Sequence, residues 1–393
     1  MSEWSYKTLD QMGTISRGKS KHRPRNDARL FGGKYPFIQT GDIGAAGLYV
    51  TDYSQTYNEE GLAQSKLWDK DTLCITIAAN IADTALLAFP ACFPDSIMGF
   101  VPFKEVADVK FVKYCFDILQ KDCQQISQGT AQDNLSWKKL STIMFPCPPI
   151  EVQHCIATIL SRYDTLIENY QKQIKLLEEA AQRLYKEWFV DLRFPGYENT
   201  KIVDGLPEGW ERKRLVDFAK VIMGQSPKSE YYNNENKGLP FHQGVGSYGN
   251  RFVVDDTYST SYTRIAEPNS VLFSVRAPVG RLNITKNKIV IGRGLAAMAH
   301  IQGYQSFLFY LLKERFFKDN IIGNGAIFAS ISKDELLNLE FMIPSDELIQ
   351  EFNAIARNID DKILKADNQI RLLTEARDRL LPRLMGGEIK MKV

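Results

Sequence analysis

The stretch EVQHCIATILSRYDTLIENYQKQIKLLEEAAQRLYKE, residues 151–187, decides how this chain is organised. Its apolar residues recur at alternating steps of four and three, which is the heptad spacing of a helix with one apolar seam. The seam positions are Ile156, Leu160, Tyr163, Ile167, Tyr170, Ile174, Leu177, Ala181 and Leu184. We therefore predict a long helix over residues 151–187, whose seam spans roughly 42 Å at 1.5 Å per residue.

The same pattern returns 196 positions later, near the end of the chain. The corresponding positions are Phe352, Ala356, Ile359, Ile363, Ala366, Ile370, Leu373, Arg377 and Leu380. Only Arg377 interrupts the apolar seam. Local identity supports this alignment, because Leu176-Leu177 recurs as Leu372-Leu373. The sequence therefore predicts a long internal repeat, with a second helix over residues 345–385.

The segments that precede the two helices also correspond to each other. Pro240-Phe241, followed by Gln243, matches Pro36-Phe37, followed by Gln39. Residues 188–208 contain Pro and Gly without a clear period, which is typical of a linker. The predicted order is a first α/β domain over 1–150, a helix over 151–187, a linker over 188–208, a second α/β domain over 209–344, a helix over 345–385 and a tail over 386–393.

A helix with one apolar seam needs a partner, and its own copy is the nearest candidate. Because only a short linker separates the first helix from the second domain, we expect the two helices to pair antiparallel within the chain. In this register Ile156 meets Leu380 and Leu184 meets Phe352. Periodicity alone leaves a coiled-coil dimer between two chains open. The predicted fold class is α+β, with two tandem α/β domains separated by two long antiparallel coiled-coil helices in pseudo-twofold symmetry.

Composition places the chain among ordinary globular proteins. It has 393 residues, 44% of them apolar and 24% charged, and a net charge of +2. Such a charge neither requires nor excludes nucleic acid, so any basic surface must be local. We see no signal peptide and no run of apolar residues that could span a membrane, and we expect a cytoplasmic protein. The second copy has no cysteine, so we interpret the six cysteines of the first half as reduced thiols: Cys74, Cys92, Cys115, Cys123, Cys147 and Cys155.

No motif for catalysis stands out in the sequence. An adenine methyltransferase would carry an Asn/Asp-Pro-Pro-aromatic loop, whereas the segment Phe145 to Pro149 has the prolines without the acid or amide. Residues 323–325 (Gly-Asn-Gly) resemble only half of a dinucleotide-binding glycine turn. We therefore expect a non-catalytic chain without a metal site or a cofactor of its own.

Candidate nucleic-acid contacts are polar and basic residues in loops, where Gly and Pro interrupt the pattern. Lys and Arg can pair with phosphates, while amides and guanidinium groups can read base edges. In the first domain they are Arg17, Lys19, Lys21, Arg23, Arg25, Gln39, Thr40 and Asp42. In the second they are Ser226, Lys228, His242, Gln243, Arg251, Arg264, Arg276, Arg281 and Arg293. The alternatives are a solvated charged loop, ordinary surface arginines, and polar side chains that satisfy the backbone of their own turn.

Three segments of the sequence resemble segments of one known family. They are Pro207-Glu208-Gly209-Trp210, Gly224-Gln225-Ser226-Pro227 and Leu381 to Ile389 (LPRLMGGEI). Together with the repeat, they make essentially the whole chain resemble the DNA-specificity subunit of type I restriction-modification systems.

The resemblance implies two target recognition domains that read the two halves of a split, asymmetric site in double-stranded DNA, with the long helices as the spacer. It also implies that the helices dock two methyltransferase subunits and, through them, restriction (motor-nuclease) subunits. S-adenosylmethionine would then sit in the methyltransferase partners. Trp188 and Phe189 are the best apolar anchors for such docking. A non-catalytic coiled-coil adaptor and a freestanding DNA-binding protein remain the alternatives.

Overall fold

The computed structural model describes residues 4–78, 82–128, 140–203, 205–316 and 330–391. The glycine turn suggested at 323–325 lies outside these residues. The chain divides into two compact units, which we call the first unit (Met1–Lys172 with Asp367–Val393) and the second unit (Gln173–Ala366). Each unit therefore contains one half of each long helix.

The helices and strands alternate along each unit. The helices are α1 (Leu9–Met12), α2 (Thr40–Ala45), α3 (Glu59–Ala63), α4 (Val109–Gln128), α5 (Ile150–Phe189), α6 (Leu215–Phe218), α7 (Gln305–Phe316), α8 (Lys333–Leu337) and α9 (Asp346–Met385). The strands of the first unit are β1 (Ser5–Lys7), β2 (Gly13–Arg17), β3 (Phe31–Phe37), β4 (Tyr49–Val50), β5 (Gln55–Tyr57), β6 (Leu67–Trp68), β7 (Leu73–Thr76), β8 (Thr84–Leu87), β9 (Ala91–Cys92), β10 (Ile97–Pro102) and β11 (Phe145–Cys147). Those of the second unit are β12 (Ile202–Val203), β13 (Leu206–Pro207), β14 (Glu211–Arg214), β15 (Ala219–Met223), β16 (Tyr232–Asn233), β17 (Leu239–His242), β18 (Tyr258–Ser259), β19 (Ile265–Ala266), β20 (Val271–Ser274), β21 (Leu282–Ile284), β22 (Ile289–Ile291), β23 (Leu295–His300) and β24 (Glu340–Ile343).

The two long helices, α5 and α9, lie within two residues of the predicted bounds. α9 begins with Asp346 and Glu347, whose carboxylates are favourable at the positive amino end of a helix. It ends just before Gly387, which adopts a φ of 72° that glycine tolerates without strain. The linker begins later than predicted, because Trp188 and Phe189 are the last two residues of α5.

The first unit packs both helices against its sheets. Its strands form sheets in the orders β2-β10-β7-β8-β4, β5-β3-β9-β6 and β1-β11. One buried cluster joins Phe100 of β10 and Phe111 of α4 to Ile156 near the start of α5 and Leu384 at the end of α9. Leu380, the predicted partner of Ile156, packs against the same cluster. The start of α5 therefore lies beside the end of α9, as the antiparallel prediction requires.

The second unit repeats this arrangement with the other halves of the helices. Its sheets have the orders β15-β23-β20-β21, β16-β18-β17-β22-β19, β14-β24 and β12-β13. The ring of Phe352, near the start of α9, lies 5.7 Å from Tyr185, 5.9 Å from Trp188 and 5.0 Å from Phe189 of α5. Leu184, the predicted partner of Phe352, packs against the same cluster. The two helices are thus packed together and antiparallel in this unit also.

Strand topology shows that the two units share one plan. The order β2-β10-β7-β8 in the first unit corresponds to β15-β23-β20-β21 in the second. Each unit also has a parallel pair at the same place, β3 with β9 and β17 with β22. The first unit has a further parallel pair, β4 with β8. The N–H groups of Gly18 and Gly224 both donate to the first residue of the following long strand, Ile97 O at 2.8 Å and Leu295 O at 2.9 Å. The internal repeat predicted from the helices therefore extends through both α/β domains.

Buried ion pairs explain why Arg377 interrupts the seam. Its guanidinium lies 2.7 Å from the carboxylate of Asp164 on α5, and the hydroxyl of Tyr114 donates to the same carboxylate. Exactly 196 positions further on, Tyr310 donates to Asp360 at 3.0 Å. In the second unit the guanidinium comes from Arg251, outside the helices. Each unit thus holds a Tyr–Asp–Arg cluster, with the arginine supplied from a different element.

Further local features concern a short helix, the cysteines, and the possibility of membrane or metal sites. The segment after Phe37 forms the short helix α2, which Gln39 and Asp42 cap. Five cysteines are free thiols: Cys74, Cys92, Cys115, Cys147 and Cys155. Over the described ranges, no helix has the length and apolar character needed to cross a membrane, and no cluster of three or more His, Cys, Asp and Glu side chains is arranged to hold a metal ion.

Candidate functional site

An open cleft of about 1070 Å³ lies in the second unit and gathers several of the predicted contact residues. Ser226, Lys228, Gln243 and Arg293 all line it, although they come from three separate loops of the chain. The remaining lining residues are Pro227, Ser229, Glu230, Tyr232, Phe241, Gly244, Gly246, Ser247, Asp256 and Thr257. The four residues Ser226, Lys228, Gln243 and Arg293 were predicted as contacts from the sequence, and the fold brings them together.

Backbone hydrogen bonds hold the three loops of the cleft against one another. The loop after β15 is tied to the β22–β23 turn, because Gln225 N donates to Ile291 O at 2.9 Å. The same turn is tied to the end of β17, because the N–H groups of Gly292 and Gly294 donate to His242 O at 2.8 Å and Gln243 O at 3.1 Å. The cleft is therefore formed by fixed backbone rather than by independent loops.

Close backbone approach at this junction requires glycine. A Cβ atom on Gly224 would lie 2.1 Å from the carbonyl oxygen of Gly292. A Cβ atom on Gly292 would in turn lie 2.8 Å from the side-chain oxygen of Gln243. These contacts are too short for any larger residue, so both glycines set the distance between the loops.

Ser226, Gln243 and Arg293 form one connected polar group. The hydroxyl of Ser226 donates to Gln243 Oε1 at 2.8 Å and accepts the backbone N–H of Arg293 at 3.2 Å. The side chain of Arg293 is exposed, and its guanidinium makes no hydrogen bond or ion pair with the part of the chain that the structure describes. The cleft thus offers a fixed amide beside a guanidinium whose donors are available to a ligand.

His242 does not offer its ring to a ligand. Its side chain is fully buried, and its two ring nitrogens lie 2.8 Å from Ser247 Oγ and 3.0 Å from Asp255 Oδ1. These contacts hold the 245–247 turn against β17. The prediction that His242 contacts DNA is therefore corrected: its role is to position one wall of the cleft.

Arg251 is likewise corrected, because its side chain is only 3% exposed. It is paired with Asp360 and Glu178 on the long helices, and its guanidinium carbon lies 3.8 Å from the ring centre of Phe309. Burial disfavours the charge on Arg251, yet Asp360, Tyr310 and Glu178 together outweigh burial and raise its pKa. The other predicted arginines of this unit are exposed but do not line the cleft: Arg264, Arg276 and Arg281.

The equivalent region of the first unit carries its basic residues on the loop after β2. Arg25 is paired with Asp95 at 2.6 Å, and the guanidinium of Arg23 lies 4.0 Å from the same carboxylate. Arg23 also donates to the carbonyl of Ser20 at 2.7 Å. Three further predicted residues are on or beside this loop: Arg17 and Lys21, which are exposed, and Lys19, which is half-buried.

The turn after β3 supplies the polar residues of the first unit. Gln39 Nε2 donates to Gln55 Oε1 at 2.9 Å, and both side chains are exposed. Asp42 instead accepts the backbone N–H of Gln39 at 2.8 Å, which makes it part of the cap of α2. Thr40 is the first residue of that helix. Of these three predicted contacts, Gln39 has the side chain best placed to meet a ligand.

Comparison with known proteins identifies the family of this chain. The family model described as type I restriction modification DNA specificity domain matches twice, over residues 1–179 and 207–371. The chain belongs to this family. As a member, it is the DNA specificity subunit of a type I restriction-modification system. The specificity subunit is the non-catalytic part of such an enzyme, and S-adenosylmethionine belongs to its methyltransferase partners.

Individual relatives agree with the family match. The chain is 34% identical over 270 residues to the type I restriction enzyme MjaX specificity subunit of Methanocaldococcus jannaschii, an alignment that covers 66% of this chain and 63% of that protein. It is 26% identical over 413 residues to the MjaIX specificity subunit of the same organism, covering 99% and 94% of the two chains. The crystal structure of a type I S subunit from M. genitalium superposes with a TM-score of 0.64 at 18% identity, covering 97% and 96% of the two chains, which shows the shared fold.

Several residues of these sites could not be identified from the sequence. Asp95 and Gln55 in the first unit, and Tyr232 and Asp256 in the second, have no motif around them and reach these sites only through the tertiary fold. Trp188 and Phe189, suggested as anchors for a partner, are instead packed into the core of the second unit. Trp188 is 7% exposed, so its side chain already fills an intramolecular site.

Proposed function

We propose that the two α/β domains of this specificity subunit contact the two parts of a bipartite, asymmetric site in double-stranded DNA. The observation that carries the proposal is the cleft of the second unit, where the hydroxyl of Ser226 donates to Gln243 Oε1 and accepts the backbone N–H of Arg293. The corresponding surface of the first unit presents different side chains on the same strand plan. Two related folds with different contact residues suit two different DNA sequences.

The exposed basic residues of the first unit support the electrostatic part of this proposal. Lys21 is solvent-exposed on the same loop as Arg23 and Arg25, and the exposed Arg17 ends the strand that precedes this loop. Phosphate contacts made by such residues release counterions, so the affinity for DNA should fall steeply as salt increases. A protein that only links other proteins would show no such dependence.

We further propose that the chain directs methyltransferase subunits, two per specificity subunit, and through them restriction subunits, to this site. Membership of the family already implies assembly into a type I restriction-modification complex with DNA. The stoichiometry follows from the duplicated organisation, since two equivalent long-helix segments provide two equivalent docking surfaces. The work of such a complex on chromosomal DNA would place the chain in the cytoplasm. Native mass spectrometry of the co-purified complex tests the count directly, and a single methyltransferase subunit per chain would contradict it.

Single-molecule methylation sequencing tests the DNA role. DNA is taken from cells that carry the chain with its partner subunits and from cells in which only this chain is deleted. We expect methyl-adenine at one split motif to disappear on deletion. Unchanged methylation at every motif would refute the proposal.

A further inference from the structure

The two units carry opposite charges at one structurally equivalent position. Asp95 lies two residues before Ile97, the first residue of β10, and Arg293 lies two residues before Leu295, the first residue of β23. Both first residues accept the hydrogen bond from the equivalent glycine, Gly18 or Gly224. The carboxylate of Asp95 binds the guanidinium of Arg25 within the protein, whereas Arg293 lines the cleft and its guanidinium pairs with no side chain among the described residues.

The composition of the cleft indicates what Arg293 contacts. Two carboxylates, Glu230 and Asp256, line the same cleft, and Lys228 is 3.7 Å from Glu230. Carboxylates repel a phosphate group at close range, so a mixed lining of this kind is unfavourable for a phosphate site. It suits the edges of bases, which present both donors and acceptors in the major groove.

Arg293 is also more precisely fixed than an ordinary surface arginine. Its backbone N–H is bound by Ser226, and hydrogen bonds from Gly292 and Gly294 hold the residues on both sides. Gln243 lies directly beside this turn, because its carbonyl oxygen accepts the N–H of Gly294. A planar guanidinium and an amide that share one rigid support can address neighbouring bases in a defined geometry.

We propose that Arg293 is a specificity-determining residue of the second unit, which reads a guanine by donating to its O6 and N7 atoms in the major groove. Gln243 is positioned to contact the adjacent base. The first unit lacks this contact, because Asp95 occupies the equivalent position and is paired with Arg25. The inference rests on the proposed DNA role of the two domains and adds the residue and the base.

The first experiment uses the complete complex with its methyltransferase subunits in cells. Methylation motifs are compared for the wild-type chain, Arg293→Gln, Arg293→Lys and the control Arg212→Gln, which changes an exposed arginine of β14 outside the cleft. We expect both Arg293 variants to relax one G·C position in one half-site, with discrimination there reduced about ten- to hundred-fold. The other half-site, the spacer and the motif of the control should not change.

The lysine variant separates a base contact from a phosphate contact. Lysine keeps the positive charge but cannot donate to O6 and N7 with the fixed fork of arginine. Three results would each overturn the inference. Arg293→Lys could retain the complete motif, Arg293→Gln could leave the motif unchanged, or the variants could weaken methylation uniformly over all sequences. If deletion of the whole chain leaves methylation unchanged, the proposed function itself fails, which is a distinguishable result.

A binding measurement gives an independent test with the same complex. The guanine identified in the half-site is replaced with 7-deazaguanine, which lacks the N7 acceptor. We expect this replacement to weaken wild-type binding about tenfold and to leave the affinity of the Arg293→Gln complex unchanged. Equal losses for both proteins would show that Arg293 does not contact N7 and would refute the assignment.

Discussion

The buried cluster around Arg251 gives the sharpest test of how the second unit holds its long helices. Arg251→Met keeps an unbranched, apolar side chain that can still lie against Phe309, but it removes the charge. Asp360 on α9 and Glu178 on α5 then lose their cationic partner, and, among the described residues, Asp360 keeps only the hydrogen bond from Tyr310. We expect these carboxylates to separate or to draw in water, which loosens the packing of both helices on the domain.

The expected loss follows from the burial of the three groups. The side chains of Arg251, Asp360 and Glu178 are 3%, 19% and 24% exposed. Removing one partner of a buried pair costs about 3–5 kcal/mol. Because water reaches both carboxylates in part, we take the lower end, about 3 kcal/mol. At 1.4 kcal/mol per factor of ten, the local opening equilibrium should increase about a hundredfold.

Hydrogen–deuterium exchange measures this change where it occurs. Global unfolding is unsuitable, since two compact units need not unfold as one. Amides at 173–189 and 346–366 should exchange about a hundredfold faster in Arg251→Met, while amides of the first unit keep their rates. Arg212→Met, on an exposed side chain, should leave all rates within about threefold. Partial recovery of the protection from exchange is expected in the double variant Arg251→Met, Asp360→Leu, because the carboxylate of Asp360 is no longer left without its cation. Unchanged protection in the single variant would refute this account.

Three further predictions concern other parts of the chain. Burial lowers the pKa of His300 from its ordinary value near 6.5 to about 4, so the unfolded state binds more protons between these values. The contribution of His300 to the free energy of unfolding of the second unit should be complete above about pH 6.5 and fall by up to about 3 kcal/mol as pH drops to 4, and His300→Gln should flatten this dependence when opening of the second unit is measured by hydrogen exchange. Gly224→Ala should lower the free energy of unfolding by about 1–3 kcal/mol and weaken DNA binding, because its Cβ would lie 2.1 Å from a carbonyl oxygen. The Cβ of Gly41→Ala meets nothing within 4 Å, so this variant should be neutral or slightly stabilising in the same assays. Arg377→Met should accelerate exchange only in the first unit, and less than Arg251→Met does in the second, since Arg377 is 28% exposed whereas Arg251 is 3% exposed and pairs with carboxylates on both long helices; acceleration in both units would contradict this.

The sequence predicted the long helices well because periodicity is a local property. A heptad seam and a repeat offset of 196 can be read without knowing what the helix packs against. Helix bounds within two residues, antiparallel packing and two α/β domains on one plan followed from these features. Short elements cannot be predicted in this way, because the capping interactions of a helix such as α2 depend on the local geometry at Gln39 and Asp42.

Burial of polar residues was the information that the sequence lacked. His242, Arg251 and Arg293 are all basic residues near Gly-rich turns, and nothing in their neighbours distinguishes them. Tertiary structure assigns His242 and Arg251 to buried hydrogen-bonded positions and leaves Arg293 exposed. A contact between residues distant in sequence, such as Arg251 with Asp360, cannot be inferred from spacing.

The two Tyr–Asp–Arg clusters show how one frame can support two different domains. Tyr114–Asp164 and Tyr310–Asp360 occupy identical positions of the repeat, so each buried carboxylate needs a cation in either unit. In the first unit the long helix supplies it as Arg377, and the α/β domain is free to differ at this point. In the second unit the α/β domain must supply it, because Ala181 stands at the position equivalent to Arg377. Charge balance at the helices therefore constrains the second domain more tightly than the first.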